Sequence, residues 1–123
     1  MKISEIRELL DAEVLAGEAQ LSGEVTSACC SDMMSDVLAY VKDQGVLITG
    51  LVNSQVIRTA NMMDILCVVF VRAKMPPAEM LELANECGVV VMRSERRAFE
   101  ACGILWQAGL STQLSQKAEG SDV

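Results

Sequence analysis

The sequence predicts an α/β domain, a two-layer or three-layer sandwich with a largely parallel sheet of about five strands and flanking helices. Three observations carry this. Ser27 to Gly50 (SACCSDMMSDVLAYVKDQGVLITG) reads as strand, capped helix, glycine stop and second strand, the pattern of a βαβ unit. Ile65 to Val71 is an uninterrupted apolar run, as expected of a central parallel strand buried on both faces. Strand-to-helix steps also follow one another along the whole chain, as a parallel sheet with crossover helices requires.

The elements follow in order. Ser4 is placed to cap a first helix with inner face Ile6, Leu9 and Leu10, and Ile3 to act as its hydrophobic staple. Val14–Ala16 is a short strand, expected antiparallel to the rest, and Gly17 to Gly23 a connecting loop. Val25 to Cys30 is the second strand. Residues 33–43 form a helix, because Met34, Val37, Leu38 and Val41 recur at helical spacing, and Gly45 ends it. Residues 46–50 make the next strand, and a helix from Ser54 to Met63 turns Val56, Ile57, Ala60 and Met63 to one face. After the Ile65–Val71 strand, Pro76-Pro77 opens a helix where a missing N–H costs nothing. Met80, Leu81, Ala84 and Cys87 are its inner face and Gly88 its stop. Val89–Met92 is the last strand, and Ser94 is placed to cap a final helix carrying Ala98, Phe99, Cys102, Leu105 and Trp106 up to Gly109. Residues 1–110 are thus one domain, and 111–123 a polar, patternless segment expected to be a flexible tail.

Composition narrows the function. The 123 residues are 51% hydrophobic with only four aromatics, so Val, Leu, Ile, Met and Ala must build the core. A net charge of −7 argues against nucleic acid and anionic membranes, whose binders cluster Lys and Arg. No apolar run approaches the roughly 20 residues of a membrane span. The first residues read as an amphipathic acidic helix rather than a secretion signal, so a cytoplasmic location is expected. There is no histidine, and the five cysteines show no CxxC spacing, which favours buried reduced thiols over disulfides or metal ligands. Neither metal nor cofactor is expected.

Ligands of open parallel sheets bind outside the carboxyl ends of the strands. Those ends are the loops 31–32, 50–53, 72–75 and 93–94. Of ten Lys and Arg residues, Arg72, Lys74, Arg93, Arg96 and Arg97 belong to this rim or its first helical turn, although solvated surface arginines explain such a cluster as well. The most site-like loop is Gly50–Ser54: glycine permits close approach, Thr49 and Asn53 are polar, and a helix N-terminus follows at Ser54. The candidate ligand residues are therefore Thr49, Gly50, Asn53, Ser54, Arg72, Arg93 and Arg97. Asp32 reads as a helix cap that would repel a phosphate on its own side. No phosphate-loop or dinucleotide fingerprint is present. Without histidine or a paired carboxylate, no catalytic residue is assigned; Cys30, ahead of a helix start, is the sole thiol with a reason to be reactive.

Three blocks, MKISEIRELLDAEVLAG, EVTSACCSDMMSDVLAYVKDQGVLITG and PPAEMLELANECGVVVMRSERRAFEACGILWQAGL, give residues 1–110 a resemblance to stand-alone DRTGG-domain proteins. Most specific is a strand ending in SDxxSDV, a helix and a VxIT strand. The resemblance implies a fold similar to the N-terminal domain of HPr kinase/phosphorylase. It also implies an accessory role, regulatory or self-associating, as beside CBS domains in regulated pyrophosphatases and in some phosphotransacetylases. Stand-alone members near iron-only hydrogenase genes imply a link to redox metabolism. The chain departs from the family's motif, since Thr49-Gly50-Leu51-Val52-Asn53 lacks an acid-arginine pair and Arg72-Ala73-Lys74-Met75 lacks glycines.

The leading expectation is a non-catalytic regulatory module, a homodimer, binding a small anionic metabolite such as an adenine nucleotide. The alternative is a protein–protein interaction module without a small ligand, its eight methionines offering an adaptable surface. A thiol enzyme acting through Cys30 is the third class.

Overall fold

A computed structural model describes residues 1–40, 45–72 and 74–111. Among the described residues, five α-helices and five strands follow in the order α1 (Ile3–Leu9), β1 (Glu13–Ala16), β2 (Ser27–Cys30), α2 (Met34–Tyr40), β3 (Gly45–Thr49), α3 (Ser54–Met62), β4 (Cys67–Phe70), α4 (Ala78–Cys87), β5 (Val90–Arg93) and α5 (Ala98–Gln107), with a 3₁₀ turn at Glu18–Gln20 between β1 and β2. The predicted end of α2, including Val41, and residues 112–123 of the predicted tail lie outside the described residues.

The sheet order is β1-β5-β4-β3-β2, with β2 to β5 parallel and β1 antiparallel to β5. From β2 to β5 the chain always steps in the same direction across the sheet. Right-handed crossovers then put α2, α3 and α4 on one face. α1 and α5 cover the other, so the sandwich has three layers.

Side-chain alternation divides the core accordingly. Val46, Ile48, Val69, Val90 and Met92 pack with Ile3, Ile6, Leu10, Ala101 and Leu105. Leu47, Val68, Phe70 and Val91 pack with Val56, Ile57, Ala60, Met80 and Ala84. β3 and β4 are buried along their whole length, which is why their sequences are apolar at every position except the ends. Each such Val, Leu or Ile contributes about 1.5–3 kcal/mol.

Local chemistry sets several boundaries. α4 follows Pro77 and ends at Gly88 with φ 74°, the left-handed turn that glycine adopts without strain. Asn53 caps α3, its Oδ1 accepting from the Gln55 N–H at 2.9 Å. Two expected caps are corrected. α1 starts after Lys2, whose N–H is bound by Glu5 Oε1 at 2.8 Å, so Ser4 lies within the helix. α5 starts after Arg97, and Ser94 is engaged elsewhere. Leu9 and Leu38, expected on inner faces, are exposed. Ser111, expected to begin the tail, bridges to Ser27 of β2, and its C=O accepts the Ala28 N–H at 3.0 Å.

Candidate functional site

The strand ladders continue one step past the strand ends. Ser31 N–H reaches Ile48 C=O at 3.1 Å, Val71 N–H reaches Thr49 C=O at 3.1 Å, and Ser94 N–H reaches Phe70 C=O at 2.9 Å. These bonds hold the four loops in a row along the carboxyl edge.

At the β2–β4 half, the loops converge on Gly50. Asp32 Oδ1 accepts from the Thr49 hydroxyl at 2.9 Å and from the Gly50 N–H at 2.8 Å. The two bonds, Gly50 first, hold its carboxyl below the ordinary value of 3.8, helped by the charges of Arg72 and Lys74. Asp32 therefore ties two loops together rather than capping α2; the turn before that helix belongs to Ser31, whose Oγ accepts the Met33 N–H at 3.0 Å. Lys74 Nζ donates to Gly50 C=O at 2.7 Å. A Cβ on Gly50 would lie 2.9 Å from Arg72 Nη2 and 3.8 Å from Asp32 Oδ2, so the bare glycine is what lets the guanidinium approach. Arg72 itself has φ 62°, a left-handed conformation that costs a non-glycine residue about 1 kcal/mol or more. Its N–H donates to Arg96 C=O at 3.0 Å, joining this loop to the one after β5. Asn53 and Ser54 stand just beyond, at the start of α3.

The β5–β1 half is built differently. Arg93 Nε donates to Glu13 Oε1 at 2.8 Å across the antiparallel pair, and Arg96 Nη1 donates to Glu100 Oε2 at 2.8 Å one turn along α5. The buried Ser94 hydroxyl donates to Leu10 C=O at 2.7 Å and accepts the Arg96 N–H at 3.2 Å. A cleft of about 680 Å³ opens here, where Asp11, Glu13, Glu95 and Glu100 outnumber Arg93 and Arg96. Arg97 is exposed at the start of α5, which leads to the opposite face from α3. Of the seven candidate residues, Thr49, Gly50, Asn53, Ser54 and Arg72 thus lie on one half, Arg93 and Arg97 on the other. Sequence reasoning missed Asp32 and Lys74 as members of the Gly50 cluster.

Residues 5–108 match the DRTGG domain. The chain belongs to the DRTGG-domain family. Among solved structures it resembles the CBS and DRTGG domains of the regulatory region of Clostridium perfringens pyrophosphatase, complexed with its activator diadenosine tetraphosphate. The TM-score is 0.70 at 16% identity, over 87% of this chain and 46% of that one. The chain therefore spans less than half of that regulatory region and shares its fold. No curated protein matches the sequence.

In this DRTGG domain the residue types missing from a contiguous motif meet in space: an acid, Asp32, and an arginine, Arg72, lie against the Thr49-Gly50 turn. The thiols do not follow the sequence expectation. Cys67 is buried, but Cys30 is exposed at the edge strand. Its thiol is pushed up to about 12, first by partial burial and then by Cys102 and the Asp32 charge, opposite to the activation a helix start would give. Burial also pushes Cys29 up to about 11. Among the described residues, no helix is long and apolar enough to cross a membrane.

Proposed function

We propose that this DRTGG domain is a non-catalytic regulatory module sensing a small anionic metabolite, with an adenine nucleotide as the leading ligand class. The Gly50 cluster carries the reading: at the ends of adjacent parallel strands two cations, Arg72 and Lys74, gather near one carboxylate, and because Asp32 already holds the Gly50 N–H and repels a phosphate on its own side, the anion belongs on the Arg72 and Lys74 side of the loop. Arg72 supplies charge-assisted hydrogen bonds to the anion, and Lys74 adds a second charge. Thr49, Gly50, Asn53 and Ser54 shape the pocket. Arg93 and Arg97 act at longer range, as positive potential along the rim. The regulatory role of the C. perfringens region, and the adenine-containing activator bound there, support the class of function and of ligand.

A thermal-shift panel of nucleotides and phosphorylated metabolites tests this. Stabilisation should grow with ligand concentration as RT ln(1 + [L]/Kd). A flat response across the panel contradicts it.

A second reading is an interaction module that self-associates as a homodimer in the cytoplasm. Phe99 and Trp106, seven residues apart on α5, are 92% and 67% exposed, and Met33, Met62 and Met75 are exposed as well. Two large apolar side chains left exposed on one helix are candidates for a contact surface. Sedimentation of the wild type against Trp106→Glu decides it: a dimer that dissociates in the variant supports the reading, and a monomer in both removes it.

A further inference from the structure

α5 crosses the sheet over β2 and β3, and its sheet-facing residues Ala101 and Leu105 are buried. Cys102 lies beside them, half-buried. Cys30 is the last residue of the edge strand β2. The two thiols line one cavity of about 160 Å³, together with Ala28, Cys29, Ile48 and Trp106. Ala28 and Cys102 pack on the α1–α5 side of the sheet and Cys29 on the other, so strand alternation puts Cys30, not Cys29, on the side of Cys102. Cys30 and Cys102 are 72 positions apart in sequence, so only the fold brings them together.

We infer that Cys30 and Cys102 form a reversible dithiol–disulfide pair that pins α5 to the edge strand, with a low-molecular-weight disulfide such as glutathione disulfide as the oxidant. The exposed Cys30 is the entry point. Its thiolate attacks one sulfur of the oxidant and releases one glutathione thiolate, leaving a mixed disulfide on Cys30. The Cys102 thiolate then attacks the Cys30 sulfur and releases the second glutathione. The chain loses two protons and two electrons, and the oxidant is reduced to two thiols. Partial burial first, then Cys102 and the charges of Asp32 and Cys29, disfavour the Cys30 thiolate, so the first step is slow at neutral pH and faster in mild alkali. The pair is independent of the anion reading, because none of its steps uses Arg72 or Lys74.

Trp106 is the sole tryptophan and lines the same cavity, one turn beyond Cys102, so its emission reports on the pair. The reduced 123-residue chain is incubated with glutathione redox mixtures, quenched by alkylation and mapped by mass spectrometry. Two of its five thiols should be lost, in a crosslinked peptide joining Cys30 to Cys102, with quenched Trp106 emission and full reversal by dithiothreitol. Cys29→Ala should behave as the wild type, whereas Cys102→Ser should stop at a glutathione adduct on Cys30. A wild type that keeps five free thiols, stops at the adduct, or links Cys29 instead overturns the inference, and that mapping needs no variant to fold.

Discussion

The two halves of the carboxyl edge hold similar numbers of cations and use them differently. At β5–β1, Arg93 and Arg96 are each held by a glutamate, and the buried Ser94 fixes the loop to the chain after α1. At β2–β4, Lys74 is bound to the Gly50 carbonyl rather than to an acid, and the one carboxylate whose value Arg72 and Lys74 lower, Asp32, is bound by a backbone N–H and a hydroxyl. The number of basic residues on a rim therefore says little about the positive charge open to a ligand; what matters is how each cation is already paired. The topology sharpens the contrast. The loops after β4 and β5 lead to helices on opposite faces, the arrangement that opens a ligand crevice in parallel sheets. Arg72 stands at that divide, its N–H on one half and its guanidinium on the other.

Substitutions that separate the halves follow, from the largest expected effect to the smallest. Arg72→Gly combined with Lys74→Ala should weaken the nucleotide that gives the largest thermal shift by about a hundredfold, or ~3 kcal/mol, because two charge-assisted bonds are lost. Glycine suits the left-handed backbone at this position, so unfolding in denaturant should show no loss of stability from Arg72→Gly alone. Ser94→Ala should do the reverse. It strands the Leu10 carbonyl and the Arg96 N–H, costing about 1–3 kcal/mol of stability, with ligand affinity unchanged in the folded fraction.

Asp32→Asn tests the carboxylate. The folded-state value of Asp32 lies below its ordinary 3.8, so its stabilisation is present above that pH and is lost as pH falls through the lowered value. The wild type should melt above the variant at neutral pH, and the gap should close in strong acid. A gap of constant size from neutral pH into strong acid would show that the contact does not depend on charge. Smallest is Arg93→Ala, which breaks an exposed ion pair worth below about 1 kcal/mol and should leave nucleotide affinity within a few-fold.

Elements governed by local chemistry were legible in the sequence. Pro76-Pro77 and Gly88 bracket α4, Asn53 precedes α3, and the apolar run around Val68 and Val69 marks a central strand. The Gly50 cluster was only half legible. Asp32 looks like a cap when read along the chain, because Asp before a helix usually is one. Its true partner is set by the β2–β3 register, in which Cys30 lies beside Ile48, and that pairing is invisible until the strand order is known. Lys74 and Ser94 are the same case, their partners Gly50 and Leu10 lying 24 and 84 positions away. The cavity shared by Cys30 and Cys102 likewise needs α5 to return over the first parallel strand.

Amide chemical-shift mapping with the best nucleotide from the thermal panel tests the central claim most directly. Resonances of Gly50, Ser54 and Gln55 should move in a saturable manner, and those of Arg93 and Ser94 should stay nearly still. Saturable shifts centred on Arg93, or none at any residue, would contradict a ligand site at the Gly50 cluster.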